Sequence, residues 1–203
     1  MVSYGAVALM GYLLGCSNLA WLLARLRGFD IRTTGSSNAG ASNATITMGL
    51  KAGVAVAVHD VAKSFLAGLL AGFLFPALPS APAVAAVAAV LGHIFPFWLH
   101  FKGGKGFASF LGLTLVLDWR FFLVILVVVL LITLVTDYIV LGTLTTVVSF
   151  PAWLFYRQLG VTVVLIVCIA SLTIICKHFV NIRRMAAGEE IGLRRALSKK
   201  DRV

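Results

Sequence analysis

Between Val2 and Ile175 the chain is a succession of apolar runs separated by short polar stretches. They lie at about Val2 to Ala24, Gly53 to Leu78, Ala81 to Leu99, Phe107 to Leu117, Phe121 to Thr136, Ile139 to Phe155 and Val161 to Ile175. A helix needs about 20 apolar residues to cross a bilayer, and it satisfies its own backbone hydrogen bonds where water is absent. The expected fold is therefore all-α, a polytopic membrane bundle of about seven transmembrane helices. Composition agrees: 61% of the residues are hydrophobic and 12% charged, against roughly a quarter charged in a soluble domain. The run Phe107 to Leu117 stands apart, because its 11 residues reach only about 16 Å. A short, tilted or partly buried helix is expected there. Pro76, Pro79, Pro82, Asp118-Trp119-Arg120 and Gly160 mark turns.

A formal charge of +10 could point to nucleic acid in a soluble chain, but here its distribution matters more than its sum. With seven crossings, Arg25, Arg27, Arg32, Lys51, Lys102, Lys105, Lys177, Arg183, Arg184, Arg194, Arg195, Lys199, Lys200 and Arg202 fall on one side, and only Arg120 and Arg157 on the other. The excess of Lys and Arg marks the cytoplasmic face. That places the N-terminus outside and the C-terminus inside. The expected organisation is one transmembrane domain over residues 1–182 and a basic cytoplasmic tail over residues 183–203, lying near anionic headgroups. No nucleic-acid partner is expected; the partner of the chain as a whole is the lipid bilayer, and the oligomeric state is open.

Cys16, Cys168 and Cys176 lie in apolar runs and are odd in number, which argues against a disulfide framework. Leu13-Leu14-Gly15-Cys16 resembles the end of a lipoprotein signal, yet no Lys or Arg precedes Arg25. Gly11 and Gly15 instead have the small-xxx-small spacing of closely packed membrane helices. Asp60 and Lys63 are three apart in the second run and can pair, which matters because an unpaired Lys at mid-bilayer costs about 2.5–3.5 kcal/mol. His59, His93 and His100 lack the acidic or thiol partners of a metal cluster. Neither a metal nor another cofactor is expected.

Three polar segments can carry chemistry. Gly35-Ser36-Ser37-Asn38-Ala39-Gly40-Ala41-Ser42-Asn43 combines backbone freedom with small hydrogen-bonding side chains, which can turn N–H groups and hydroxyls toward an anion. Phe101-Lys102-Gly103-Gly104-Lys105-Gly106 sets two lysines among glycines, where backbone and charge can approach a phosphate closely. It is not a nucleotide P-loop, since GxxxxGK[ST] is missing and Phe107 stands where the hydroxyl would be. In Lys177-His178-Phe179-Val180-Asn181-Ile182-Arg183-Arg184, His178 and Asn181 share a helical face. There a histidine can orient a hydroxyl or take its proton. No GxSxG elbow is present, so a covalent acyl-enzyme is not expected.

In this order the three segments resemble those of the bacterial acyl-phosphate:glycerol-3-phosphate acyltransferases, the PlsY family. The resemblance spans nearly the whole chain and rests on GSSNAGASN, on Gly92-His93 with Pro96 leading into FKGGKGFAS, and on His178, Asn181, Arg184, Gly188 and Glu190. It implies a seven-helix enzyme of the bacterial cytoplasmic (inner) membrane, with its active site facing the cytoplasm. The enzyme would move an acyl group from acyl phosphate to glycerol 3-phosphate and form lysophosphatidic acid in phospholipid biosynthesis. Lys105, His178 and Asn181 are then the expected catalytic residues. Ser36, Ser37, Asn38, Gly40, Ser42, Asn43, Lys102, Gly103, Gly104, Gly106 and Thr143 are the expected substrate-binding residues, with the Gly103 and Gly104 amides on phosphate. Ser37, Ser42, Ile46 and Val140 depart from the family pattern of Gly, Thr, Arg and Ser. A fixed arginine fork on phosphate has no alkyl substitute, so either Lys51 reaches in or a different acceptor is used. A transporter of a phosphorylated metabolite, or an inactive scaffold, remains the reading from another class.

Overall fold

The structure is a computed structural model that describes residues 3–198. The basic residues Lys199, Lys200 and Arg202 of the tail lie outside the described residues. Every regular element among the described residues is a helix, in the order α1 (Tyr4–Gly15), α2 (Leu19–Leu26), α3 (Ala41–Met48), α4 (Leu50–Leu74), α5 (Ala81–Ile94), α6 (Phe107–Leu117), α7 (Trp119–Thr136), α8 (Ile139–Tyr156), α9 (Val161–Ala186) and α10 (Leu193–Leu197), with a 3-10 turn at Phe97–Leu99. Six stretches among them are long and apolar enough to cross a membrane, and α6 is the shorter apolar helix beside them. The exterior carries exposed Val58, Phe73, Val124, Val135 and Phe155, as a surface solvated by lipid rather than water requires.

Without a hydrophobic drive between helices in lipid, close packing depends on small residues. A methyl group at Gly11 would overlap the backbone of Ala85, one at Gly15 that of Ala89, and one at Gly92 the carbonyl of Tyr12. The expected small-residue face of α1 is thus the contact with α5. Helix α6 is inserted in the same way: Gly112 lies against the Val61 carbonyl, and Ser109 through Thr114 are buried. Its shortness reflects a place inside the bundle, packed on α4 and α5.

The first run is not one helix. It breaks at Cys16–Asn18, and Asn18 caps α2 by accepting from Trp21 N at 2.8 Å. Carbonyls freed inside a membrane segment need partners from protein. Trp98 Nε1 donates to Cys16 O at 2.9 Å and Lys63 Nζ to Ser17 O at 2.7 Å. The second run also begins earlier than its apolar pattern, with α3 and α4 separated by Gly49 at φ 87°. That left-handed conformation is one that glycine adopts without a Cβ clash.

The two ends of the bundle differ in character. One end holds Asp118, whose carboxylate caps α7 through Arg120 N at 3.0 Å and Phe121 N at 3.1 Å, accepts from Trp153 Nε1 at 2.9 Å and lies 3.8 Å from Arg157. Burial would raise this carboxyl, but those donors and the Arg157 charge hold it below its ordinary value. The other end gathers the three polar segments. The last helix runs well past Ile175 to Ala186, and the chain then folds back. Leu193 N and Arg194 N donate to Asp137 O and Oδ1 at 2.8 and 2.9 Å. Residues 189–197 are therefore docked on the bundle rather than spread as a free tail.

Candidate active site

The first polar segment is held by its own interior asparagine. Asn43 Oδ1 accepts from Ser36 N at 2.8 Å, and its Nδ2 donates to Ile31 O and Thr34 O, both at 2.9 Å. Asn43 is fully buried and lines neither cavity of the site. Its amide shapes the loop, so the expectation that it touches substrate gives way to an internal strut. Just upstream, Arg32 forms a fork on Asp30 and reaches Leu99 O at 3.2 Å, tying this loop to the α5–α6 connection. Hydrogen bonds from Arg32, working against burial, lower the Asp30 carboxyl to about 2.

In the second segment the glycines serve close approach. The Gly103 and Gly104 amides donate to Ile94 O and His93 O at 3.1 Å each, so they are not free to bind phosphate as expected. A Cβ at Gly103 would overlap the His93 carbonyl, and one at Gly104 the His93 ring. Gly106, at φ 95°, begins α6. His100 (φ 55°) and Phe101 (φ 59°) are left-handed without being glycine, a strain of order 1–3 kcal/mol each that tends to mark functional turns.

These constraints bring Lys105 to the third segment. Lys105 Nζ donates to Asn181 Oδ1, and Asn181 Nδ2 donates to Glu190 Oε1. Burial pushes the Lys105 ammonium below the ordinary lysine value; the Glu190 carboxylate opposes this and the Arg184 guanidinium adds to it. His178, one turn before Asn181, lies 2.8 Å by Nδ1 from Ile174 O. A carbonyl can only accept, so Nδ1 carries a proton, and in the neutral ring Nε2 keeps its lone pair.

Two cavities meet at this end. The larger, about 280 Å³, is lined by Ser36, Asn38, Gly40, Ser42, Lys105, Gly106, Thr143, His178 and Asn181 among the expected site residues. Its apolar wall includes Ala57, Val61, Leu111, Val129 and Val140. The smaller, about 240 Å³, is lined by Ser37, Asn38, Lys102, Gly103, Gly104 and Lys105, with Arg32 and Lys177. Asn38 and Lys105 belong to both. Thr143 donates to Ile139 O at 3.1 Å, which leaves its oxygen able to accept. Ile46 does line the larger cavity, whereas Lys51 is exposed and lines neither. Arg184, Glu190, Asp60 and His93 complete the larger cavity. In the sequence only the family resemblance marks the first two, which sit in the His178 to Glu190 stretch, while Asp60 stands out as half of an ion pair and His93 as part of the Gly92-His93 motif.

A family model described as glycerol-3-phosphate acyltransferase matches residues 5–188. Glycerol-3-phosphate acyltransferase 1 of Oceanobacillus iheyensis is 35% identical over 97% of this chain and 98% of its own. The glycerol-3-phosphate acyltransferase of Mesorhizobium japonicum is 36% identical over 93% and 96%. Among solved structures, the crystal structure of PlsY (YgiH), an integral membrane glycerol 3-phosphate acyltransferase, in its glycerol 3-phosphate form, superposes with a TM-score of 0.88 at 33% identity, covering 95% of this chain and 96% of that one. Its lysophosphatidic acid form gives 0.85 over 94% and 95%. With its three polar segments converging on Lys105, and matching over nearly its full length, the chain belongs to the glycerol-3-phosphate acyltransferase family, the PlsY family.

Proposed function

We propose that the acyl donor of this membrane glycerol-3-phosphate acyltransferase is an acyl phosphate, and that transfer takes place at the cytoplasmic face of the bacterial inner membrane. The observation that carries the donor assignment is the sharing of Lys105 and Asn38 between a largely apolar cavity and a cationic one. An acyl phosphate needs both, an apolar wall for its chain and positive charge for its phosphate. The cationic residues Arg32, Lys102, Lys105 and Lys177 at this end support a cytoplasmic orientation.

The donor is already an activated mixed anhydride, so no protein nucleophile is required. The first hydroxyl of glycerol 3-phosphate attacks the acyl carbonyl carbon. The carbon–oxygen bond to phosphate breaks, and the hydroxyl proton passes to an oxygen of the departing phosphate. Lysophosphatidic acid and inorganic phosphate result. The protein orients two mutually repelling phosphates and neutralises the charge that develops between them. Lys105 offers that charge, Ser36, Asn38 and Ser42 offer hydroxyl and amide contacts, and His178 Nε2 and Asn181 orient the acceptor. Arg184, on the larger cavity, supplies the guanidinium that Ile46 does not. This favours glycerol 3-phosphate over another acceptor.

Purified protein incubated with palmitoyl phosphate should release inorganic phosphate in proportion to added glycerol 3-phosphate. Release independent of the acceptor, or turnover only with acyl thioesters, would remove the acyl phosphate reading.

A further inference from the structure

Helix α4 carries two ionisable side chains deep in the bundle, Asp60 at 2% and Lys63 at 6% exposure, beside His93 of α5 at 3%. Lys63 Nζ lies 2.9 Å from both Asp60 Oδ1 and His93 Nδ1. It also donates to Ser17 O at 2.7 Å. His59 Nδ1 is 3.4 Å from the same Asp60 oxygen, and Asp60 Oδ2 has no hydrogen-bond partner among the described residues. A pair that only neutralised two charges for insertion would not need its cation committed to two further segments as well.

Each of those segments leads to one loop of the site. Ser17 precedes Asn18, whose Nδ2 donates to Ala39 O in the first polar segment at 3.1 Å. His93 accepts through its carbonyl from Gly104 N at 3.1 Å, and its ring fills the space that a Gly104 side chain would take. The two arms then close on each other, because the same missing side chain of Gly104 would meet Ala39 O. Lys105 follows directly.

We propose that Asp60, Lys63 and His93 form a buried positioning hub that sets the GSSNAGASN and FKGGKG loops against each other, and so fixes the spacing of the two phosphates during transfer. The hub acts through Asn18 and Gly104. Each loop keeps its own contacts without it, so substrate binding should survive while alignment is lost. A misplacement of about 1 Å can cost roughly a hundredfold in rate.

The proposal rests on the acyl-transfer reading, which wild-type turnover tests separately. Lys63→Met alone would strand a buried carboxylate and endanger folding. The informative variant is therefore Asp60→Asn with Lys63→Met, which leaves α4 uncharged at both positions. Measured in detergent beside wild type, with thermal unfolding as a check, the double variant should fold and lose at least about tenfold in kcat. Asp60 and His93 border the larger cavity, and because Asn keeps the shape of Asp there, both Michaelis constants should stay within about threefold, a split that a purely structural role would not produce. Unchanged kcat per folded molecule, a loss carried by the Michaelis constants, or a double variant that does not fold would each overturn the hub and leave the cluster a folding element.

Discussion

Replacing Lys105 by Ala removes the cation common to both cavities and the donor that holds Asn181. A preorganised donor aimed at charge that develops in the transition state is worth about 2.7–4 kcal/mol, a factor of roughly 10²–10³ in rate. Asn181 also loses its hold on one side and keeps only Glu190, so kcat should fall by about 10³. Stability should move the other way. Burial lowers the Lys105 pKa in the folded protein, so the folded state disfavours the charge more than the unfolded chain does. The cost to stability is present below the folded pKa and is relieved as pH rises through it toward the ordinary lysine value. Lys105→Ala should therefore unfold no earlier than wild type at neutral pH, and should lack the wild-type gain in thermal stability toward alkaline pH. Activity read as glycerol 3-phosphate-dependent phosphate release, with melting temperature on the same preparation, gives both numbers. A variant within tenfold of wild-type kcat would refute the role assigned to Lys105.

The depressed Lys105 also implies an alkaline limb in kcat/KM below the ordinary lysine range, since the role proposed for it needs the charged form. Lys105→Arg should abolish that limb even if it lowers the rate, and a persisting limb would assign it elsewhere. Ile46→Arg places a guanidinium on the larger cavity and should lower the Michaelis constant for glycerol 3-phosphate about tenfold, one charge-assisted bond being worth roughly 1.5–3 kcal/mol; an unchanged or higher constant counts against Ile46 facing the acceptor. Gly104→Ala should be inactive, because its methyl would overlap the His93 ring, and near-normal turnover would show that the loop yields. Asn43→Ala leaves Ser36 N, Ile31 O and Thr34 O without their partner, and the buried Ile31 carbonyl left unpaired costs about 1–3 kcal/mol by itself. A clear drop in melting temperature is expected, and an unchanged one would make the strut dispensable.

Much of this was legible in the chain, for identifiable reasons. Apolar runs fix helices in lipid because the backbone has no other way to satisfy itself, and so the long spans and even the odd shortness of Phe107–Leu117 could be read directly. The break at Cys16–Asn18 could not. No Gly or Pro stands at 16–18, and its carbonyls are satisfied by Lys63 and Trp98 from distant helices. The same limit applies to the site. Glycine and lysine in FKGGKG announced a place of close approach, but which partner is approached depends on α5, and it is the His93 carbonyl and ring. Asn43 has the composition of a ligand and the position of a strut; only the partners of its amide separate the two. The pairing of Asp60 with Lys63 followed from helical spacing, whereas its extension to His93 and Ser17 needed tertiary contact.

The broken first span also has a history in time. Its free carbonyls are partnered by side chains that lie 46 and 82 residues further along the chain, so they enter the membrane after it. Until α4 and the Phe97–Leu99 turn arrive, nothing in protein is available to Ser17 O and Cys16 O, and an open backbone in hydrocarbon costs several kcal/mol for each group. The newly inserted segment is therefore cheaper as one continuous helix through 16–18, or as one still reached by water. The kink, and with it the link from Asn18 to the first polar segment, is fixed by these contacts only once α4 and the Phe97–Leu99 turn have joined the first span.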